Sequence, residues 1–186
     1  MKTPEQRYAE LYKEMYDLCI EQGWGDPFSY AVSKEIFIAN KLGHIKADTY
    51  SGADGIDQDG ECEYKSTIHK TIKGSYTGIS VYPTWEEQET YLYEEKIGKY
   101  NNHYFARFDG GDIAECYTLK GTKVLEILLP KVKKKFPNIL TKKDPRLSAT
   151  INKTEIHKYG EKLIWIILKK LLIFKISAWL FGFYQV

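Results

Sequence analysis

The acidic segment DGIDQDGECEYKST, residues 54–67, carries the residue types in this chain that are most capable of chemistry. It places five carboxylates within ten positions and a lysine two residues after the last of them. Three kinds of structure use such a run: a solvated surface turn, a calcium-binding loop, or the metal site of a nuclease. They differ in the spacing that they require.

The spacing argues against a calcium loop of the EF-hand kind. Such a loop needs acidic or amide ligands at its first, third and fifth positions, glycine at the sixth and glutamate at the twelfth. If Gly60 takes the glycine position, Gly55 stands first and Ser66 twelfth, and neither is an adequate ligand. A solvated hairpin turn explains residues 57–60, because Asp-Gly is a strong hairpin signal, but it leaves the following ECEYKS unexplained.

The alternation that follows the turn predicts a strand with two different faces. Glu63 and Lys65 are neighbours on one face, since successive side chains of a strand point to opposite sides. Asp54 is expected across the hairpin on the preceding strand. Two carboxylates that converge from adjacent strands can hold Mg²⁺, with water and phosphate oxygens completing its coordination. A lysine beside them can orient the attacking water or offset charge on phosphorus, which is the chemistry of phosphodiester hydrolysis.

This pattern of Asp, about ten residues, then Glu-x-Lys resembles the PD-(D/E)XK nuclease superfamily. More closely, GADGIDQDGECEYKST is similar to the active-site hairpin of type II restriction endonucleases of the PvuII kind, which carry G-x-D-x-x-D, a glycine turn and E-x-K-S. HYFARFDGGDIAECYTL resembles the paired strands that follow there, so the resemblance covers about residues 30–120. Two features depart from it: alanine precedes Asp54 where the superfamily has proline, and the hairpin is one residue shorter.

The resemblance implies a role for each residue of the pattern. Asp54 and Glu63 become the Mg²⁺ ligands and Lys65 the catalytic lysine. Asp57 or Glu61 is the alternative ligand, although both also suit a turn or a solvent-facing position.

Glu35 is a further catalytic candidate, from its place on a predicted helix. At 100° per residue it falls at the centre of the apolar stripe, and a buried carboxylate is costly unless it is paired or near a cation. Many PD-(D/E)XK enzymes have a helical glutamate near the metal, so the resemblance implies that Glu35 supports the metal or meets a second ion. A helix end that turns Glu35 to water and a salt bridge are the alternatives.

DNA contacts are expected in the segment HKTIKGSYTGIS, residues 69–80, which follows the lysine strand. Its side chains include groups that bind phosphates and base edges. The candidate DNA-binding residues are Lys70, Lys73, Ser75, Tyr76 and Thr77. An ordinary polar loop is the alternative, and among the scattered histidines His69 is the one to test. The basic segment 131–146 is predicted to be loop-rich, and to be either a phosphate-tracking patch or a solvated face.

Composition bounds the remaining possibilities. A chain of 186 residues with 43% hydrophobic residues is a folded domain, and a net charge of +2 means that any nucleic-acid affinity comes from local patches. Cys19, Cys62 and Cys116 have no spacing typical of a disulfide framework or a structural zinc site. Because the N-terminus has no apolar core of a signal peptide, we expect a cytoplasmic protein in a reducing compartment.

Helices and strands are predicted from apolar periodicity and turn signals. We expect an α/β (α+β) fold with a mixed central sheet flanked by helices, and the resemblance implies a restriction-endonuclease-like core. The helices are predicted over residues 5–22, 26–42 and 84–99, and the strands over 46–57, 61–68, 76–83 and, as a hairpin, 103–119.

The chain is predicted to divide into a nuclease domain, residues 1–162, and a hydrophobic C-terminal tail, residues 163–186. A membrane-spanning helix needs about 20 mostly apolar residues, whereas three lysines (Lys169, Lys170 and Lys175) interrupt the tail. We therefore expect no membrane partner, and we expect the active-site fold to form without the tail.

The expected function is a Mg²⁺-dependent endonuclease that cuts double-stranded DNA at a specific, palindromic site. Palindromy follows from a homodimer in which each subunit cuts one strand. The alternatives are a structure-specific or repair nuclease of the same fold, a DNA-binding protein without catalysis, and a membrane-associated protein, which only the tail suggests.

Overall fold

A computed structural model describes residues 2–48 and 52–163 of the chain. In chain order the elements are α1 (Pro4–Glu21), α2 (Val32–Leu42), β1 (Ile45–Lys46), β2 (Gly55–Asp57), β3 (Gly60–Thr67), β4 (Gly74–Ile79), α3 (Trp85–Tyr91), a π-helical turn (Leu92–Lys96), β5 (Asn102–Asp109), β6 (Asp112–Lys120), α4 (Gly121–Ile139), β7 (Leu147–Ile151), α5 (Lys153–Tyr159) and β8 (Glu161–Lys162).

Two sheets organise these elements. The larger has six strands in the order β1-β2-β3-β5-β6-β8, and β4 pairs with β7 in a separate two-stranded sheet. Strand β3 runs parallel to β5, while the other pairs are antiparallel. The predicted mixed α/β fold with a mixed sheet is therefore confirmed, with five α-helices in the described part of the chain.

The two faces of β3 join different apolar clusters. Cys62 and Tyr64 pack with Ile38 of α2 on one face. On the other face Lys65 lies beside Phe105 of β5, whose ring belongs to the larger cluster with α4. As predicted, the side chains of this strand alternate between two faces, one with Cys62 and Tyr64 and the other with Glu63 and Lys65.

The strand predicted over residues 46–57 is wrong in extent. Only its two ends are strands, β1 and β2, and Asp54 lies immediately before β2, where its backbone N–H donates to the Cys62 carbonyl at 3.0 Å. The hairpin itself is confirmed, since Asp57 pairs with Gly60 across a two-residue turn. Asp54 therefore lies just outside β2, so the direction of its side chain is not set by the alternation of side chains along that strand.

The second and third helices also differ from prediction. Helix α2 begins at Val32 rather than near residue 26, because Tyr30 adopts a positive φ of 49° that no α-helix allows. Asp26 instead accepts a bond from the Phe28 N–H at 2.9 Å and closes a turn. Helix α3 begins with a capping box of Thr84 and Glu87, but after Tyr91 it passes into a π-helical turn, which ends at Lys96.

The segment 131–146 is not loop-rich throughout, because α4 continues to Ile139 through two prolines. A proline inside a helix costs about 3 kcal/mol, whereas burying one large aliphatic or aromatic side chain contributes about 1.5–3 kcal/mol. The buried face of α4 carries several such side chains at helical spacing, so burial outweighs the lost hydrogen bonds. They are Val124, Leu125, Leu128, Val132, Phe136 and Ile139.

None of the helices in residues 2–48 and 52–163 has the length and apolarity needed to cross a bilayer. Residues 164–186 lie outside the described residues. The division at residue 162 and the dispensability of the tail stay predictions.

Candidate active site

The structure brings Asp54, Glu63 and Lys65 together at the open end of the β2–β3 hairpin. Asp54 is fixed to the neighbouring strand by its side chain, because its Oδ2 accepts a 2.7 Å hydrogen bond from the Tyr64 N–H. Tyr64 stands between Glu63 and Lys65 in β3, so this bond holds the Asp54 carboxylate against the segment that carries both, and the charges of both act on it. The Lys65 ammonium donates to Glu63 Oε1.

The electrostatics of the site are dominated by crowded carboxylates. The pKa of Asp54 is raised to about 7, chiefly by burial and also by the nearby charges of Glu63 and Glu35. The Lys65 ammonium and the Tyr64 N–H lower it by less. Negative charge is thus in excess here, and a cation at this place would be stabilised.

Lys65 itself stays protonated. Burial alone would lower the pKa of its ammonium, but the carboxylates of Glu63, Asp54 and Glu35 more than offset this, so that the pKa is raised above its usual value. Lys65 is therefore a positive charge at neutral pH and not a proton acceptor.

Glu35 reaches this site from α2, where it forms a salt bridge with Lys46. The Lys46 ammonium lies 3.5 Å from Glu35 Oε2, and the two side chains are 5% and 17% exposed. Of the sequence alternatives, the structure contains the salt bridge, and Glu35 is also close enough to influence Asp54 and Lys65. Sequence reasoning missed Lys46, because a single lysine between apolar residues carries no motif.

Tyr76 lies beneath Lys65 and is one of the candidate DNA-binding residues. Its ring centroid is 5.1 Å from the Lys65 ammonium, and its hydroxyl hydrogen-bonds to His103 Nδ1 at 2.8 Å. Only 4% of Tyr76 is exposed, so this residue is not available to DNA and its predicted role has to be corrected. The reason is the strand alternation of β4, in which Tyr76 faces inward while Ser75 and Thr77 face out.

His103 completes the support beneath Lys65. Its Nε2 lies 3.0 Å from the Ile97 carbonyl, so the neutral ring donates there and accepts from Tyr76 at Nδ1. Burial lowers the pKa of His103 to about 3, and the ring is uncharged at neutral pH. The charge of Lys65 is therefore not opposed by a second cation below it.

The other candidate DNA-binding residues are on the surface. Lys70, Lys73, Ser75 and Thr77 are all exposed. Lys73 and Ser75 line a cavity of about 260 Å³ whose wall also contains Lys65, Lys34 and His69. Lys70 and Thr77 are not part of that wall. A basic depression thus leads from Lys65 toward β4.

The alternative ligands, Asp57 and Glu61, have other surroundings. Asp57 Oδ2 accepts hydrogen bonds from Asn102 Nδ2 and from the Tyr104 hydroxyl, both at 2.8 Å. Asp57 is therefore already engaged in holding the turn against β5. Glu61 is exposed at the start of β3.

The carboxylates at this site fit a magnesium ion that takes few of its ligands from the protein. Within the described residues there is no group of three or more His, Cys, Asp and Glu side chains arranged to hold a metal ion. Mg²⁺ needs no such group, because proteins commonly bind it through one or two carboxylates, with water and phosphate oxygens at the other positions. Asp54 and Glu63 would supply these carboxylates, and a divalent cation would offset the burial and the neighbouring negative charge that raise the pKa of Asp54.

Comparison with known proteins adds no assignment, since no protein-family model and no curated protein matches the chain.

Proposed function

We propose that this protein is a Mg²⁺-dependent endonuclease with a restriction-endonuclease-like core, which hydrolyses phosphodiester bonds of double-stranded DNA. The observation that carries the proposal is the convergence of Asp54, Glu63 and Lys65 at one end of a hairpin, with two carboxylates crowded against a charged lysine. A turn or a binding surface has no need of such an arrangement, because buried like charges are costly.

The residues divide the chemistry among them. Asp54 and Glu63 would hold the magnesium ion, which when bound polarises the phosphate and lowers the pKa of a water molecule. Lys65, as a fixed ammonium, stabilises the additional negative charge that develops on the phosphate oxygens in the transition state. The hydrogen bond from the Tyr64 N–H to Asp54 keeps one carboxylate oxygen in place, so that little reorganisation is needed.

The surface next to the site supports DNA as the substrate. Phosphates are bound by lysine and hydroxyl groups, and the depression beside Lys65 offers Lys34, Lys73 and Ser75. Ser75 Oγ is also 3.3 Å from Thr150 Oγ1, which connects this wall to β7. We propose that the DNA backbone follows this depression to Lys65 and that the exposed residues of β4 reach toward the bases.

We propose a homodimer that cuts a palindromic site, with α1 as the self-association surface. Helix α1 carries an apolar stripe that is exposed, apart from the buried Cys19. Leu11, Met15 and Leu18 are 47%, 40% and 50% exposed and lie at i, i+4, i+7 spacing along one side of the helix. A second copy of this helix offers the same apolar stripe, as two-fold symmetry requires.

The enzymatic proposal is tested by plasmid nicking with the full chain. Supercoiled DNA is expected to be cut in Mg²⁺, and to remain intact in EDTA or in Ca²⁺. Discrete fragments from linear DNA would show site specificity, whereas random degradation or cutting only at branched DNA would favour a repair or structure-specific nuclease. Intact DNA under every Mg²⁺ condition would refute the proposal.

The dimer is tested by light scattering of the wild type and of Leu11→Asp/Leu18→Asp. A dimeric wild type and a monomeric variant are expected. A monomeric wild type at micromolar concentration, with or without DNA, would contradict the homodimer.

A further inference from the structure

Lys46 is a second lysine beside the proposed metal site, and the chemistry described so far does not use it. It is 8% exposed, and among the described residues it is the only Lys, Arg, Asp or Glu in the buried class. Its place is set by backbone pairing, since Lys46 lies directly opposite Gly55, the residue that follows Asp54. Its ammonium donates to the Ala47 carbonyl at 2.9 Å and faces Glu35 Oε2 at 3.5 Å.

A small cavity connects this ion pair to the site. It has a volume of about 80 Å³, and its wall contains Glu35, Lys46 and Asp54 together with Trp24 and Tyr30. Such a space can hold a few water molecules. Glu35 and Asp54 are the two carboxylates that would be available to a second ion in this cavity.

The charges in and around this cavity favour one divalent ion over two. Asp54, Glu63 and Glu35 with Lys65 alone would leave two negative charges. Lys46 reduces this excess to one, so that a single Mg²⁺ leaves one positive charge, which the phosphodiester neutralises. A second divalent ion near Glu35 would stand beside the Lys46 ammonium and be repelled by it.

We propose that Lys46 acts as a fixed cation in place of a second divalent ion at Glu35, so that the site takes a single Mg²⁺ at Asp54 and Glu63. This inference rests on the proposed function, because it concerns the ions of that same site. Lys46 is in this view a positioning residue: it holds Glu35 and sets the number of ions without contacting the DNA.

The test counts bound Mn²⁺ on the full chain in the absence of DNA, by electron paramagnetic resonance of the free ion and by titration calorimetry. One ion per chain is expected for the wild type and two for Lys46→Met, because Glu35 is then a free ligand. The double variant Lys46→Met/Glu35→Gln is expected to return to one ion. Lys41→Met, which removes a lysine that pairs with Asp112 away from the site, is the matched control and should bind one.

Several results would overturn the inference. They are a wild-type count other than one, a count of one for a folded Lys46→Met, or a count of two for the double variant. If circular dichroism shows that Lys46→Met does not fold, the Mn²⁺ count of Glu35→Gln tests the inference instead. It should keep one ion, whereas loss of that ion would make Glu35 a ligand.

The nicking assay on the same preparations separates this inference from the proposed function. A wild type that nicks DNA and binds two Mn²⁺ would refute the single-ion site and leave the nuclease standing. A wild type that binds one Mn²⁺ and never nicks DNA would refute the nuclease and leave the single-ion site standing.

Discussion

The β2–β3 hairpin holds two pairs of carboxylates from the same acidic segment, Asp54 with Glu63 at its open end and Asp57 with Asp59 at its turn. In the first pair, burial and neighbouring negative charge raise the pKa of Asp54 to about 7. In the second, hydrogen bonds from Lys120 and Asn102 lower the pKa of Asp59.

The contrast comes from burial and from the partners, and not from the residue type. Asp57 and Asp59 meet neutral or cationic donors, since Asn102 Nδ2 donates to both and the Lys120 ammonium lies 2.8 Å from Asp59 Oδ2. Through these bonds Asp57 and Asp59 stabilise the turn. Each pair of carboxylates has one lysine partner, Lys120 at the turn and Lys65 at the open end, so the difference is burial: Asp59 is exposed, whereas Asp54 is partly buried and its pKa is raised. We therefore expect a metal ion to bind at the open end and not at the turn.

The largest expected effect separates the two lysines that accompany these pairs. Lys65→Met should lower Mg²⁺-dependent nicking about 100- to 1000-fold, because it removes a charge that acts in the transition state. Asp54→Ala should abolish nicking, while both variants still bind DNA in Ca²⁺. Lys120→Met is the matched control, expected within about twofold of the wild type. Wild-type nicking by either site variant would remove the assignment.

The second prediction concerns stability against pH without metal. Asp54 binds its proton more tightly in the folded than in the unfolded chain, where its pKa is near 3.8. The stability due to this proton is full below pH 3.8 and is lost as the pH rises through about 7. Urea unfolding should show the wild type losing about 1 kcal/mol per pH unit over this window relative to Asp54→Asn.

Two controls frame that measurement. Ca²⁺ at pH 8 should raise the melting temperature of the wild type and leave that of Asp54→Asn unchanged. Asp57→Asn should lower stability by about 1 kcal/mol or more, since it disturbs bonds at the turn. If the free energy of unfolding depends on pH in the same way for the wild type and Asp54→Asn, the pKa of Asp54 is not raised by folding.

A smaller effect is expected from Glu35. Glu35→Gln removes a negative charge near the ion and leaves Lys46 unpaired, so the Mg²⁺ concentration for half-maximal nicking should rise several-fold. Glu61→Gln, on the exposed start of β3, should leave the Mg²⁺ requirement unchanged. If Glu35→Gln and the wild type have the same Mg²⁺ dependence of nicking and the same stability, the charge of Glu35 does not act on the site.

The smallest effect compares two buried tyrosine hydroxyls. Tyr76→Phe loses the bond to His103, and Tyr104→Phe loses the bond to Asp57, so each should lower the free energy of unfolding by about 1 kcal/mol. Neither should change nicking more than twofold, because the ring that faces Lys65 is kept in Tyr76→Phe. A large loss of nicking in Tyr76→Phe alone would mean that the hydroxyl itself serves the lysine.

The sequence by itself determined the hairpin, the mixed α/β class and the face that joins Glu63 to Lys65. These features depend on local rules: the Asp-Gly turn closes the hairpin and the two-residue period of a strand separates Glu63 and Lys65 from Tyr64. The resemblance to restriction endonucleases also depends on this contiguous stretch.

Only the tertiary structure decided what surrounds that stretch. The burial of Tyr76 depends on β4 packing against the large apolar cluster, and the helix through the basic segment depends on the core that buries one face of α4. The pairing of Glu35 with Lys46 joins a helix to a strand that no sequence period connects. The charge state of a site depends on through-space distances and burial, which are set when distant segments meet and not by their order in the chain.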